Sequence, residues 1–194
     1  MKTTSLFKLG GIAVLLSASL TGLGRLIYYL SEQPVLPTMM DTWRGIMAGA
    51  LFVLGFGAVY ARQSKAGGIL GLVGYILIML AQLYFVASDA VSLGVVAGLA
   101  TDEQIAQVPA YAVSSSILQW VWVAGLLVFG ISIYRTQVFP KQAGLLLVLL
   151  GLIQPLTVSL VWTRVIYILL YVIGWAWLGW DLYSRAGIQK DEKS

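Results

Sequence analysis

The chain has 194 residues, of which 59% are hydrophobic and only 10% charged, with a net charge of +4 and neither histidine nor cysteine. A typical soluble domain carries about 25% charged residues, so this composition excludes an ordinary soluble fold and favours a protein embedded in a membrane. Because imidazole and thiol groups are missing, so are the usual ligands of haem, zinc, copper and iron–sulfur clusters, and we expect no metal or redox cofactor.

Six apolar segments are long enough, or nearly so, for the roughly 20 residues that a transmembrane helix needs. They lie at about residues 9–30, 43–61, 67–88, 113–134, 142–160 and 163–184. The start of the chain resembles a signal peptide, but its apolar stretch has spanning length, so we predict a first transmembrane helix. The predicted fold is all-α, a bundle of six transmembrane helices within residues 1–186, followed by a solvated tail at 187–194.

Basic residues are distributed unequally between the two sides of this topology. One side carries Lys2, Lys8, Arg62, Lys65, Arg135, Lys141, Arg185, Lys190 and Lys193. The other side carries Arg25, Arg44 and Arg164. Because Lys and Arg accumulate in cytoplasmic loops, the nine-to-three ratio predicts that both termini face the cytoplasm. The same rule accounts for the positive net charge, so we expect no nucleic-acid partner. The predicted location is a cell membrane, with a bacterial inner membrane favoured.

The longest connection, residues 89–112, joins the third and fourth predicted spans on the outer side. Its first part, residues 90–96, is apolar, which favours a segment that lies on the membrane or dips back into the protein. Thr101 and Gln104 have the spacing of a capping box. This spacing predicts a helix of one or two turns that ends before Pro109.

A family resemblance rests on short motifs at two helix starts. Lys8-Leu9-Gly10-Gly11 opens the first span, and Tyr134-Arg135, Pro140-Lys141 and Gly144-Leu145 surround the start of the fifth. These motifs resemble a bacterial six-helix inner-membrane family known only as a domain of unknown function. That family often has Trp after the Pro-basic pair, where this chain has Gln142. The resemblance implies a six-helix inner-membrane fold and supplies no catalytic residue and no substrate.

Arg25 is the only basic residue well inside a predicted span, and Tyr28 lies three residues further along the same helical face. One interpretation is a side chain that reaches outward to the lipid headgroups. The other is a cation in an outward-facing cavity that binds an anionic headgroup or a carboxylate. We expect Arg25 to point into the bundle and to bond to polar groups of the third or fifth span. The candidate partners are Gln82, Asp89 and Gln154.

Other polar residues inside the predicted spans mark further candidate positions, because polar groups are costly in hydrocarbon. Tyr75, Gln82 and Asp89 recur every seven residues on one face of the third span. Because Gln82 carries an amide inside a predicted span, we expect its side chain either to form a hydrogen bond to another helix or to belong to a polar site. Gln154-Pro155 interrupts the fifth span, because proline lacks the N–H group that continues a helix. Interruptions of this kind build transporter sites and also occur in ordinary membrane helices.

Two functions are compatible with these features. The first, slightly favoured, is a non-enzymatic accessory subunit that packs against other membrane proteins or a second copy of itself. The second is a binding or transport module for a small amphiphile or lipid. Its candidate outer-leaflet pocket would be lined by Arg25, Tyr28, Gln82, Gln154 and Tyr167. We expect membrane lipids as partners and no catalytic residue or metal site, because the carboxylates are peripheral and scattered. An outward cavity lined by the candidate residues would favour the second function.

Overall fold

A computed structural model describes residues 3–30, 38–158 and 161–186 of the chain. Within these ranges the fold is all-helical, as the composition predicts. The helices are α1 (Thr3–Leu30), α2 (Met39–Val96), α3 (Asp102–Ala106), α4 (Pro109–Thr136), α5 (Lys141–Ile153) and α6 (Val161–Ser184), with a 3-10 helix at Gln154–Val158 between the last two. The predicted tail at 187–194 lies outside the described residues.

Four helices are long and apolar enough to cross a membrane, which indicates a membrane protein. They cover Thr4–Ile27, Met39–Val96, Pro109–Thr136 and Trp162–Ser184. A shorter apolar helix covers Lys141–Thr157. The second helix has 58 residues, about 87 Å at a rise of 1.5 Å per residue, which is far more than the roughly 30 Å of hydrocarbon in a bilayer.

A backbone break at Gly68 divides α2 into two arms. Gly68 has φ 52° and ψ −148°, which lie outside the helical region. Glycine adopts such values more readily than other residues because it has no Cβ. The arms, residues 39–67 and 69–96, fold back on each other. Tyr60 and Tyr75 stack near the break with ring centroids 4.2 Å apart, and Asp89 packs against Gly45 at the far end. The second and third predicted spans therefore lie in two antiparallel arms, joined at one glycine.

Six helical segments, counting the two arms of α2 separately, form a closed ring, and glycines allow neighbouring segments to approach closely. A Cβ added at Gly11 would lie 2.6 Å from the carbonyl oxygen of Gly179, and one added at Gly144 would lie 2.7 Å from that of Gly130. Small residues at helix contacts are typical of membrane bundles. In ring order the segments are α1, the two arms of α2, α4, α5 and α6, which returns to α1. Their contacts show that successive segments run in opposite directions.

The centre of the ring is an aromatic cluster. The ring of Phe52 meets Trp175 edge-on with centroids 4.7 Å apart, and Phe56 meets Phe129 in the same way at 4.9 Å. All four side chains are almost completely buried. Because edge-to-face aromatic pairs are favourable beyond the area that they bury, this cluster stabilises the contact among three of the ring's segments: the first arm of α2, α4 and α6.

One end of the bundle, here called the Gly68 end, is closed by an ion pair. Arg62 Nη1 lies 3.2 Å from Asp181 Oδ2, and Arg185 Nε lies 2.8 Å from the other carboxylate oxygen. The Arg62 guanidinium also lies 4.9 Å from the centroid of the Phe139 ring. Beside this ion pair, the amide of Gln63 donates a 2.8 Å hydrogen bond to Ser132 in the interior.

At the opposite end, here called the Arg25 end, α2 continues beyond residue 88, where the third predicted span ends. Residues 90–96 are helical and belong to α2, although the connection at 89–112 was expected to include them. Apolar residues with helical periodicity extend the helix until the turn at Ala97–Thr101, where Gly98 has φ 73°. The short helix α3 has the predicted capping box between Thr101 and Gln104. The fifth predicted span, 142–160, is helical only to Ile153 and then tightens into the 3-10 helix, as the interruption at Gln154-Pro155 predicts.

Candidate functional site

A cavity of about 350 Å³ opens at the Arg25 end of the bundle. Its walls come from α1, both arms of α2, α4, the 3-10 helix and α6. The lining residues are Leu20, Thr21, Arg25, Asp41, Thr42, Arg44, Gly45, Ala48, Gly49, Gln82, Phe85, Ser88, Asp89, Ser92, Trp122, Gln154, Tyr167 and Tyr171. Charged groups, hydroxyls and amides share the lining with aromatic rings and small apolar residues, so the cavity offers both polar and apolar surface inside an apolar bundle.

Four of the five predicted pocket residues line this cavity. They are Arg25, Gln82, Gln154 and Tyr167. The fifth, Tyr28, belongs to α1, but its side chain lies outside what the structure describes. The four residues come from separate segments of the chain, and the fold brings them together around one space. Their role in binding stays a prediction.

Arg25 contacts a different partner from those expected. Its guanidinium carbon lies 5.7 Å from the centroid of the Tyr167 ring, in a cation–π arrangement. Among the described residues, no hydrogen bond or ion pair joins Arg25 to the three expected partners on the third and fifth spans. The reason is the close approach of α1 to α6, where Gly22 packs directly on Val172. Arg25 therefore lines the cavity and contacts α6, although the residue as a whole is exposed.

The aromatic wall of the cavity is built on Tyr167. The indole nitrogen of Trp122 donates to the Tyr167 hydroxyl at 3.4 Å, and Tyr167 and Tyr171 lie one turn apart on α6. All three side chains are buried. Trp122 also meets Phe85 edge-on with centroids 5.7 Å apart. The wall is thus fixed by contacts among α2, α4 and α6.

Two side-chain amides face the same space. Gln82 is 8% exposed, and its nitrogen lies close above Gly49, where an added Cβ would be 3.0 Å away. In the described part of the chain Gln82 makes no side-chain hydrogen bond, which differs from the expected bond between helices. The Oε1 atom of Gln154 is buried and has no partner there either. A buried amide oxygen without a partner is costly, which applies to Gln154, whereas the amide of Gln82 lines the cavity and is available to a polar ligand.

The cavity holds two acidic and two basic side chains. Arg44 and Asp41 form an ion pair at 3.3 Å, and the hydroxyl of Thr38 donates to Asp41 at 2.6 Å. Asp89 packs on Gly45, where an added Cβ would be 2.5 Å from the carboxylate. It forms no ion pair with any described residue, although it lies in the field of Arg25 and Arg44.

Side chains at the start of α6 donate hydrogen bonds to backbone carbonyls of the 3-10 helix that follows the interruption at Gln154-Pro155. Arg164 Nε donates to the carbonyl of Thr157 at 2.8 Å, and the hydroxyl of Thr163 donates to that of Leu156 at 2.9 Å. Backbone carbonyls of the 3-10 helix are therefore occupied by the protein itself. The contribution of this segment to the cavity is the side chain of Gln154.

Several lining residues are absent from the predicted pocket. Asp41 and Arg44 lie at the start of α2, where the sequence suggests solvated charges, and Trp122 was not singled out. Asp89 was expected only as a partner of Arg25. Helical periodicity shows which residues share a face, but it does not show which helix that face meets. The seven-residue spacing of Gln82 and Asp89 was the one available signal that they share a face.

No protein-family model, curated protein or solved structure matches this chain. The resemblance to the six-helix inner-membrane family therefore stays a prediction. Within residues 3–30, 38–158 and 161–186, acidic side chains form no group of three that could hold a metal ion.

Proposed function

We propose that this protein is a non-enzymatic membrane module that binds, and in doing so transfers, a small amphiphile or lipid through the cavity at the Arg25 end. The observation that carries the proposal is the convergence of Arg25, Gln82, Gln154 and Tyr167, from separate segments, on one space of about 350 Å³. Ligand sites have volumes of about 300–1,000 Å³, so this cavity fits a headgroup or a small molecule.

The proposed topology has six passes with both termini in the cytoplasm, which puts the cavity on the outer side. The nine-to-three distribution of basic residues supports this orientation. The break at Gly68 supports two passes within α2, because each arm is long enough for one span of about 20 residues and too short for two. Trp43, Trp120 and Trp162 are exposed at the Arg25 end, and Trp177 and Trp180 are exposed towards the Gly68 end. Tryptophan rings at both ends are typical of the two headgroup layers.

Binding is proposed in preference to an accessory role, because a polar cavity has no use in a subunit that only packs against its neighbours. Buried polar groups reduce the stability of a bundle unless they are satisfied, and the buried Oε1 atom of Gln154 has no hydrogen-bond partner among the described residues. The amide of Gln82, which lines the cavity, makes no hydrogen bond to a described residue either. A ligand with polar groups would satisfy them. Binding is preferred to catalysis because the chain offers no His or Cys as a base or nucleophile.

The test is native mass spectrometry of the protein released from mild detergent. We expect the wild-type protein to retain a lipid-sized adduct. Thr21→Trp, which fills the cavity from α1, should lose that adduct. Leu149→Trp is the matched control, because Leu149 is 45% exposed on the outer face of α5. It should retain the adduct. If Thr21→Trp retains the same adduct to the same extent, the ligand lies elsewhere and the proposal is wrong.

A further inference from the structure

The charges of the cavity are balanced, but they are not all paired. Asp41 and Arg44 neutralise each other at 3.3 Å. Arg25 and Asp89 remain, one cation and one anion, each without an ion pair among the described residues. They face the same space from α1 and from the second arm of α2.

We propose that the cavity takes a zwitterionic ligand, with an anionic oxygen group at Arg25 and an ammonium group at Asp89. The inference rests on the proposed function and names the ligand class of the same site. A phosphoethanolamine headgroup has this chemistry, and so does a free soluble zwitterion of the same kind.

The anionic group is assigned to Arg25 by the geometry of its guanidinium. The guanidinium carbon lies over the Tyr167 ring, 5.7 Å from its centroid, and no described residue forms a hydrogen bond or ion pair with the guanidinium N–H groups. A planar guanidinium binds phosphate and carboxylate groups through two parallel hydrogen bonds. The unpaired amide of Gln82 adds a donor on the same cavity wall.

The ammonium group is assigned to Asp89 by charge and by its aromatic neighbours. Phe85 lies one helical turn before Asp89 on the same face, and its ring meets Trp122 at 5.7 Å. Ammonium groups bind well where a carboxylate and aromatic rings occur together. Ser88 and Ser92 also line the cavity beside Asp89 and offer oxygen atoms to N–H donors.

Net charge favours a zwitterion over an anion. An anionic ligand would neutralise Arg25 and leave the half-buried Asp89 uncompensated, and an unpaired charge away from water is costly. A purely cationic ligand would neutralise Asp89 and leave the more exposed guanidinium of Arg25 without a counter-ion. A zwitterion neutralises both at once, because the four charged side chains of the cavity sum to zero.

The test compares three probes on the full-length protein by native mass spectrometry. The probes are dioleoyl phosphatidylethanolamine, dioleoyl phosphatidylglycerol and the soluble headgroup glycerophosphoethanolamine. The variants are Arg25→Gln and Asp89→Asn. Their matched controls are Arg135→Gln and Glu103→Gln, which change the same charges at exposed positions outside the cavity.

We expect the wild-type protein and both controls to bind phosphatidylethanolamine at least about tenfold more tightly than phosphatidylglycerol, as one charge-assisted contact predicts. Asp89→Asn should abolish or reverse this preference, since of the two side chains without an ion pair only the cation, Arg25, remains. Arg25→Gln should weaken both lipids. Binding of glycerophosphoethanolamine alone would support a soluble source, and binding of the lipid only would support a membrane source.

The inference fails if the wild-type protein binds both lipids equally, or if Asp89→Asn leaves the preference unchanged. In either case, loss of both lipids from Thr21→Trp would leave the proposed binding function in place. If Thr21→Trp also binds them as the wild type does, the proposed function fails together with the inference. Thermal unfolding of each variant in detergent separates a lost ligand from a lost fold.

Discussion

The guanidinium of Arg25 on α1 lies over the ring of Tyr167 on α6, 5.7 Å from its centroid. This contact joins two helices that already pack at Gly22 and Val172, and it turns the one basic side chain well inside the first predicted span towards the cavity. Tyr167 in turn is fixed by Trp122 on α4, so the orientation of Arg25 depends on three helices.

The first prediction concerns this pair. Arg25→Leu and Tyr167→Leu should each lower the melting temperature in detergent, and the double variant should lower it by less than the sum. The expected coupling is about 0.5–2 kcal/mol, the range of cation–π pairs from exposed to desolvated sites. A double-mutant cycle measures it by thermal unfolding. Arg25→Lys should retain part of the coupling, because an ammonium keeps the charge and lacks the planar group. Strictly additive effects would show that Arg25 interacts elsewhere.

The second prediction concerns the ion pair at the Gly68 end. Arg62 and Arg185 both contact Asp181, but the side chain of Arg62 is 13% exposed and that of Arg185 is 53% exposed. Arg62→Gln should lower the free energy of unfolding by about 3–5 kcal/mol, since it leaves a buried carboxylate without its buried partner. Arg185→Gln should cost only about 0–1 kcal/mol. Equal losses in the two variants, measured by unfolding in detergent, would contradict this difference.

The third prediction concerns the glycine contacts of the ring. Gly144→Ala should destabilise the bundle by about 1–3 kcal/mol, because the new Cβ would meet backbone atoms of Gly130 and Tyr134 that cannot move independently. Gly94→Ala is the control, because a Cβ at Gly94 meets nothing within 4 Å and helix propensity rises. It should be neutral or stabilising. If thermal unfolding shows that Gly94→Ala is less stable than Gly144→Ala, the close contact between α4 and α5 is refuted.

The fourth prediction concerns topology. A reporter enzyme that is active only outside the cytoplasm should stay silent when fused after Ser194. The same reporter inserted at Gly98, in the turn between α2 and α3, should be active, because the proposed topology puts this turn outside. Activity of the fusion after Ser194 would show that the C-terminus lies outside the cytoplasm, so either the number of passes is odd or the proposed orientation is reversed.

Much of the architecture could be predicted because hydropathy and helical periodicity are local properties. The all-α class, the capping box at Thr101 and the interruption at Gln154-Pro155 each depend on a few neighbouring residues, and each agrees with the structure. The continuation of α2 to Val96 could not be separated from an apolar surface segment by composition alone. The single-residue break at Gly68 was equally hidden, since the basic residues before it suggested a loop of several residues.

The candidate site was only partly predictable, because contacts between helices decide it. Tyr75 shares a face with Gln82 and Asp89 in the sequence pattern, but it stacks on Tyr60 towards the Gly68 end and does not line the cavity. Arg44 was not predicted to be near Arg25, although its guanidinium lies directly on Gly24 of α1. A glycine at position 24 permits this approach, but no periodic pattern in the sequence shows that α1 and the start of α2 meet there.

The measurement that tests the central claim most directly uses the absence of cysteine from the chain. A single Thr21→Cys variant places one thiol on the cavity wall, and Ser64→Cys places one near Gly68. In intact cells, a thiol reagent that cannot cross membranes should label position 21 from outside and position 64 only after permeabilisation. Added phosphatidylethanolamine of short chain length should protect position 21. Labelling of position 64 but not of position 21 in intact cells, or labelling of position 21 that no amphiphile slows, would contradict an outward-facing binding cavity.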